Sequence, residues 1–363
     1  MKLRHHFLRL ALAGALLLAF PLTSALACTG IRIVAQDGSV VRGRTMEFGN
    51  AFQSDVILVP RGFARAGITP DGKPGLQWNA KYASLGADGE GLPYLFDGLN
   101  EKGLAVGTFY FPLTADYMPY RAADAAKTIA PWQVGSYLLD SFATVDEVRQ
   151  NIANVVVTNV DFPGWGTVPV HYAVYDATGK SIVIEYSEGK LHVFDDPLGV
   201  VTNSPAFDWH MTNLRNYVNF SLDNVPPINL GSGVVLQPIG QGTGMLGLPG
   251  DFTPPSRFVR AVAFSVAVLP SKTGDDAVLE LFHVLNNFDI PKGATRQKDG
   301  NGKFETEFTL WTSATDLKAL KFYFRTYDNS QIRMVDLTKM NLNAKDIVTI
   351  SMKGPEVIKN VTP

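Results

Sequence analysis

The order in which strand-like and helix-like segments follow one another constrains this fold more than any single residue does. Thr29–Ala35 and Val40–Met46 read as two strands joined at Asp37-Gly38, a strong hairpin signal. Ala122–Phe142 reads as a helix interrupted by Pro131, and Thr144-x-x-Glu147 is a capping box that opens another. Three strands follow at Val170–Tyr175, Ser181–Tyr186 and Leu191–Phe194, and Gly199–Asn203 adds a fourth. Two helices are expected at about Ser256–Val268 and Asp275–Asn287, then strands near Phe304–Ser313, Leu320–Thr326 and Gln331–Leu337. Strands, helices and strands again, without strand–helix–strand alternation, predict antiparallel sheets covered by helices. No repeat, low-complexity linker or domain boundary interrupts this order, so residues 28–363 are expected to form one domain.

Cys28 is the only cysteine, so no internal disulfide can form and packing alone must hold the fold. With 46% hydrophobic and 18% charged residues, the chain has the makings of a large globular core. A net charge of −2 and the lack of a Lys/Arg cluster argue against nucleic acid as a partner. The amino terminus differs from the rest: Lys2, Arg4 and Arg9 precede the apolar run Leu10–Phe20, and Ala25-Leu26-Ala27 offers small residues for a signal peptidase. Residues 1–27 therefore read as a secretory signal peptide, too short for a membrane span, with a periplasmic or secreted product.

Cleavage after Ala27 would make Cys28 the first residue, carrying a thiol and a free α-amine together. An amine with a reference pKa of ~7.7–8 can serve a thiol of ~8.5 as base near neutral pH, whereas the amide nitrogen of the uncut chain cannot. Two other readings stay open on position alone. Cys28 is an unreactive core residue, or it is lipidated and anchors a non-catalytic periplasmic binding protein; the second matches poorly, since Ala25 occupies position −3 and the leucine falls at −2.

With Asp37-Gly38 as a two-residue loop, Gln36 faces Ser39 and Cys28 falls opposite Glu47, whose carboxylate would lie beside the new amine. In that register Arg44 opposes Ile31 and points to the other face. Other motifs fail. Gly242-Thr243-Gly244-Met245-Leu246-Gly247 has the glycine spacing of a dinucleotide loop, but Leu248-Pro249-Gly250 blocks the helix it needs. His171, His192, His210 and His283 are scattered and read as hydrogen-bonded core or surface residues, with no zinc site among them.

Cys28-Thr29-Gly30 with Gly43-Arg44-Thr45-Met46-Glu47 resembles the mature start of the choloylglycine hydrolases (bile salt hydrolases) and penicillin V acylases. The likeness continues through Asp97-Gly98-Leu99-Asn100-Glu101-Lys102-Gly103-Leu104, Val201-Thr202-Asn203-Ser204-Pro205, Gly240-Gln241-Gly242-Thr243-Gly244 and Leu248-Pro249-Gly250-Asp251-Phe252-Thr253-Pro254-Pro255-Ser256-Arg257-Phe258. The resemblance implies the N-terminal-nucleophile hydrolase fold, an α+β four-layer αββα sandwich of two antiparallel sheets flanked by helices. It implies hydrolysis of a linear amide without metal or organic cofactor, a small-molecule substrate, no membrane association after signal cleavage, and a homotetramer. Cys28 then matches the nucleophile and Arg44 the arginine against its sulfur. Glu47 stands where the family usually has aspartate bonded to the amine. Asn203 matches the oxyanion donor and Arg257 the arginine near the centre. Tyr110 falls where penicillin V acylases tend to have tyrosine and bile-salt-preferring enzymes asparagine, its N–H being the second oxyanion donor. Penicillin V-type amides are favoured over conjugated bile salts, with N-acyl homoserine lactones as a third class. Acyl specificity is expected from apolar loop residues around Asn50–Asp55 and Ser84–Phe96, with Phe52, Tyr94 and Phe96 lining the pocket.

Overall fold

A computed structural model describes residues 27–49, 52–298 and 302–363. Residues 1–26 of the leader expected at residues 1–27 lie outside them, as do residues 50 and 51 of one expected acyl-binding segment.

Two antiparallel sheets dominate. The first runs, in spatial order, Val200–Val201, Cys28–Val34, Val40–Phe48, Phe304–Asp316, Lys321–Thr326 and Asn329–Asp336, with Thr295–Lys298 paired to the fourth. The second runs Lys190–Asp195, Ser181–Ser187, Val170–Tyr175, Ala105–Tyr110, Leu92–Asn100, Ser84–Gly89, Val56–Val59 and Val348–Ile350. The helices Pro254–Ala267 and Gly274–Leu285 cover the outer face of the first sheet, Val278, Leu281 and Leu285 being buried there. Val134–Ser141 and Val145–Asn151 cover the second sheet, with Val134, Leu138 and Val148 packed on Val106, Ile182 and Ile184. The result is the four-layer αββα sandwich that the family resemblance implies, and it agrees with the antiparallel sheets covered by helices expected from segment order.

Local expectations fared unevenly. Thr144 caps its helix as expected, its hydroxyl accepting the Glu147 N–H, while the Glu147 carboxylate accepts the N–H of Ala143. The helix expected over Ala122–Phe142 is real only at Val134–Ser141. Before it come 3-10 turns at Ala122–Lys127 and Pro131–Gln133 around the short strand Thr128–Ile129, because Pro131 withholds the N–H an upstream turn needs. Ser84–Phe96, expected as a loop, is instead most of a tight strand pair. A Cβ on Gly86 would lie 2.0 Å from the Asp97 carbonyl oxygen, so only glycine lets these strands approach.

The first hairpin is shifted by one residue. Cys28 pairs with Met46 and Gly30 with Arg44, because Ala35 and Ser39 close a three-residue loop, with Gly38 at φ +77° and the Asp37 carboxylate accepting the Ser39 N–H. A one-residue slip exchanges faces. Arg44 therefore shares the inter-sheet face with Gly30, and Glu47 comes opposite Ala27, whose carbonyl accepts its N–H at 3.1 Å. Arg42, on the same face as Arg44, is paired with Asp97 of the other sheet, whose second carboxylate oxygen accepts from Ser313 Oγ at 2.7 Å. Both partners are fully buried, so Asp97→Ala strands a charge between the sheets. It is expected to lower unfolding free energy by about 3–5 kcal/mol in denaturant titrations.

Candidate active site

Cys28 begins its strand where the gap between the two sheets opens, and it is 2% exposed. Its Sγ lies 4.0 Å from Met46 Sδ. Arg44 approaches Met46 Sδ, with Nη2 3.2 Å from it, and stacks its guanidinium 4.3 Å over the Phe109 ring. Gly30 makes this possible, since a Cβ there would meet the Phe109 ring at 2.7 Å. The remaining Arg44 donors go to the carbonyls of Thr45 and Thr108, neutral acceptors that leave its charge unneutralised. Burial pushes the Cys28 thiol up, and Arg44 is the strongest influence in the opposite direction.

Asn203 arrives on the edge strand. Val200–Val201 pairs with Ile31 and Gly30, and the chain continues past Cys28. Asn203 Oδ1 accepts the Cys28 N–H at 2.8 Å and Arg257 Nη2 at 2.6 Å, while its Nδ2 donates to the Tyr110 carbonyl at 2.7 Å. One amide hydrogen remains for a ligand. Two buried histidines hold this turn: His171 contacts the Thr202 carbonyl at 3.1 Å and Glu185 at 3.0 Å, and His210 contacts the Asn203 carbonyl at 2.8 Å. Burial depresses His210 to about 4, so it is neutral.

Arg257 sits in the first turn of Pro254–Ala267, whose start is set by Thr253 at the N-cap and prolines at the first two positions. It donates to the carbonyls of Phe252 and Cys28, to Thr29 Oγ1 at 2.9 Å, and to Asn203. Glu47 accepts from Thr309 Oγ1 at 2.8 Å. Burial raises its carboxyl to about 7, against the pull of Arg257.

Beyond the sulfur lies an apolar pocket. Phe52 and Phe96 line it, with Tyr110 half-buried in its wall. Phe52 is the hub, its ring 5.5 Å from Phe96, 5.2 Å from Phe48 and 5.7 Å from Trp165. Tyr94 does not line this pocket. Register shifts in its strand between Asp97 and Leu92 break the alternation, and its ring packs on Trp132, at 5.0 Å, with its hydroxyl accepting from Gln133 Nε2. Phe162, Trp165 and Met46 had been overlooked. The first two flank Pro163-Gly164, a turn signal between two aromatic residues that sequence reasoning had available, and Phe162 bridges to Gly166. Among the described residues no group of three or more His, Cys, Asp or Glu side chains is arranged to hold a metal ion.

Comparison with known proteins places this geometry. The profile described as "Linear amide C-N hydrolases, choloylglycine hydrolase family" matches residues 28–350, beginning at the cysteine itself. The bile salt hydrolase/transferase of Clostridium perfringens is 37% identical over 329 residues, covering 89% of this chain and 96% of that protein. The penicillin V acylase of Pectobacterium atrosepticum is 28% identical over 324 residues, covering 83% and 78%. Among solved structures, a variant of the conjugated bile acid hydrolase from Clostridium perfringens superposes with a TM-score of 0.81 at 34% identity, over 92% of this chain and 100% of that one. Penicillin V acylase from Agrobacterium tumefaciens gives 0.71 at 25% identity, over 89% and 91%.

Proposed function

This chain belongs to the choloylglycine hydrolase family of linear amide carbon–nitrogen hydrolases, and from that premise we propose that it is exported to the periplasm or beyond and works as an N-terminal cysteine amidohydrolase. Removal of residues 1–27 turns the Cys28 nitrogen from an amide into an amine. That amine takes the thiol proton, and the thiolate attacks the substrate carbonyl. Asn203 Nδ2 and the Tyr110 N–H hold the oxyanion, and Arg44 and Arg257 favour the anionic forms around them. The ammonium then gives its proton to the departing nitrogen, and water assisted by the same amine releases the acid from Cys28. The observation that carries this reading is the placement of Cys28, its nitrogen bonded to Asn203 and its sulfur at the mouth of an aromatic pocket.

The acyl half of the substrate belongs in that pocket. Rings packed edge to face make a slot suited to flat aryl or alkyl acyl groups, and Tyr110 in its wall favours penicillin V-type amides. The 37% identity to a bile salt hydrolase/transferase supports conjugated bile salts as the second reading. Comparing kcat/KM for penicillin V, glycine- and taurine-conjugated bile salts and N-acyl homoserine lactones decides between them; a bile salt preferred more than about tenfold overturns the first reading. Intact mass of the exported protein tests the terminus, since an unmodified Cys28 is required. Phe52→Ala opens the hub of the slot, and it is expected to raise KM for the preferred amide roughly 10–100-fold with kcat nearly unchanged, because apolar contact binds ground and transition states alike.

A further inference from the structure

The nitrogen side of Cys28 opens onto a second space. A cleft of about 310 Å³ is walled by Ala27, Asn203, Arg257, Thr295 and Glu307 among others. Ala27 is the residue that cleavage would remove, so the amine freed on Cys28 would stand at this cleft. Glu307 reaches it from the strand Phe304–Asp316. Thr309 lies directly opposite Glu47, and Glu307, two residues earlier, shares its face and stands diagonal to Glu47. Such diagonal neighbours are about 7–8 Å apart. The bulge at Leu310 falls on the far side of this pair and leaves it intact. The two carboxylates differ in what holds them. Glu47 is buried and bonded to Thr309, whereas Glu307 is half-buried and its carboxylate makes no hydrogen bond among the described residues. Arg257 spends its donors on Phe252, Cys28, Thr29 and Asn203, so it acts on Glu307 through charge alone.

We propose that Glu307 is a positioning residue for the Cys28 α-amine, a carboxylate in the cleft that attracts the ammonium formed in each turnover and keeps it aimed at the departing nitrogen. The proposal rests on the reading that the mature chain begins at Cys28. The proton it governs passes from Sγ to the α-nitrogen and then to the leaving amine, so nothing else need be supplied. The charged and titratable groups facing that amine are Glu47 and Arg44 from one strand, Arg257 from the helix, Tyr110 from the second sheet, and Glu307 itself. Both arginines repel an ammonium, and both glutamates attract it. Burial, with Glu47 adding to it, lifts Glu307 to about 8, so it titrates in the same range as an α-amine and each ionised form favours the other.

Replacing the carboxylate by a neutral amide removes an attraction for the ammonium, which lowers the pKa of the amine. For mature Glu307→Gln, the acid limb of the kcat/KM profile is expected to move to lower pH by about one unit, with KM within about twofold of the parent. The rate of Cys28 alkylation by iodoacetamide, followed against pH without substrate, is expected to shift its inflection in the same direction, since less negative charge also eases thiolate formation. Glu307→Asp is expected to restore most of the original profile. Superimposable profiles for parent and Glu307→Gln in both measurements overturn the proposal. Absence of Cys28-dependent hydrolysis in the parent protein would instead count against the functional reading, while the alkylation profile still reports on Glu307.

Discussion

Protein that keeps Ala27 joined to Cys28 is expected to hydrolyse amides at least ~10²–10⁴-fold more slowly than protein beginning at Cys28, the range a positioned general base contributes. Three features of the uncut chain lead there. The Cys28 nitrogen is an amide that donates to Asn203 Oδ1, and it has no basic lone pair to receive the thiol proton. Burial holds the thiol above its usual range, with no adjacent base to offset it. Ala27 itself is 6% exposed and lines the wall of the cleft, its carbonyl accepting the Glu47 N–H at 3.1 Å. The comparison requires both forms purified from one sequence, one with a processed terminus and one with a cleavage-resistant leader. Equal kcat/KM for the two forms, with the terminus of each verified by mass, would remove the α-amine from the mechanism.

Asn203→Ala is expected to lower kcat by about 10²–10³, equivalent to ~2.7–4 kcal/mol of transition-state stabilisation, the effect of deleting one oxyanion donor. This side chain does more than donate. Its Oδ1 gathers the Cys28 nitrogen and the Arg257 guanidinium, and its Nδ2 ties the site to the carbonyl of Tyr110 on the second sheet. Truncation leaves one donor of a buried arginine unpaired, which adds a stability cost of about 1–3 kcal/mol. The two effects separate by measurement. The kcat loss must persist at temperatures where circular dichroism shows the variant folded, and KM should change little, because the lost bond is made to the oxyanion rather than to the ground-state carbonyl. A folded variant with near-parent kcat would exclude Asn203 as the donor.

Both expectations trace to Cys28 and Asn203, which lie 175 residues apart in the chain. Cys28 was recognisable from the small residues before it, whereas Asn203 was singled out only by the family resemblance that its Val-Thr-Asn-Ser-Pro segment carries. Their meeting depends on a two-residue edge strand, Val200–Val201, whose pairing with Gly30 and Ile31 is a long-range event.

Local chemistry was decided by sequence alone: a leader-like amino terminus, a lone cysteine poised behind it, a capping box at Thr144, and an order of segments compatible only with layered antiparallel sheets. These are properties of neighbours along the chain, where turn and capping preferences act over three or four residues. Tertiary structure decided the rest. Gly38 closed a three-residue loop, and that single-residue difference exchanged the faces of Arg44 and Glu47, putting one over Phe109 between the sheets and the other toward Arg257. Bulges that shift the strand register between Asp97 and Leu92 separated Tyr94, packed on Trp132, from Phe96, which met the rings of Phe52 and Phe162. Glu307 gained its place only through register with Glu47 across the first sheet. Strand register and side-chain facing are set by contacts between segments far apart in the chain, and a period of two makes every one-residue ambiguity a change of face.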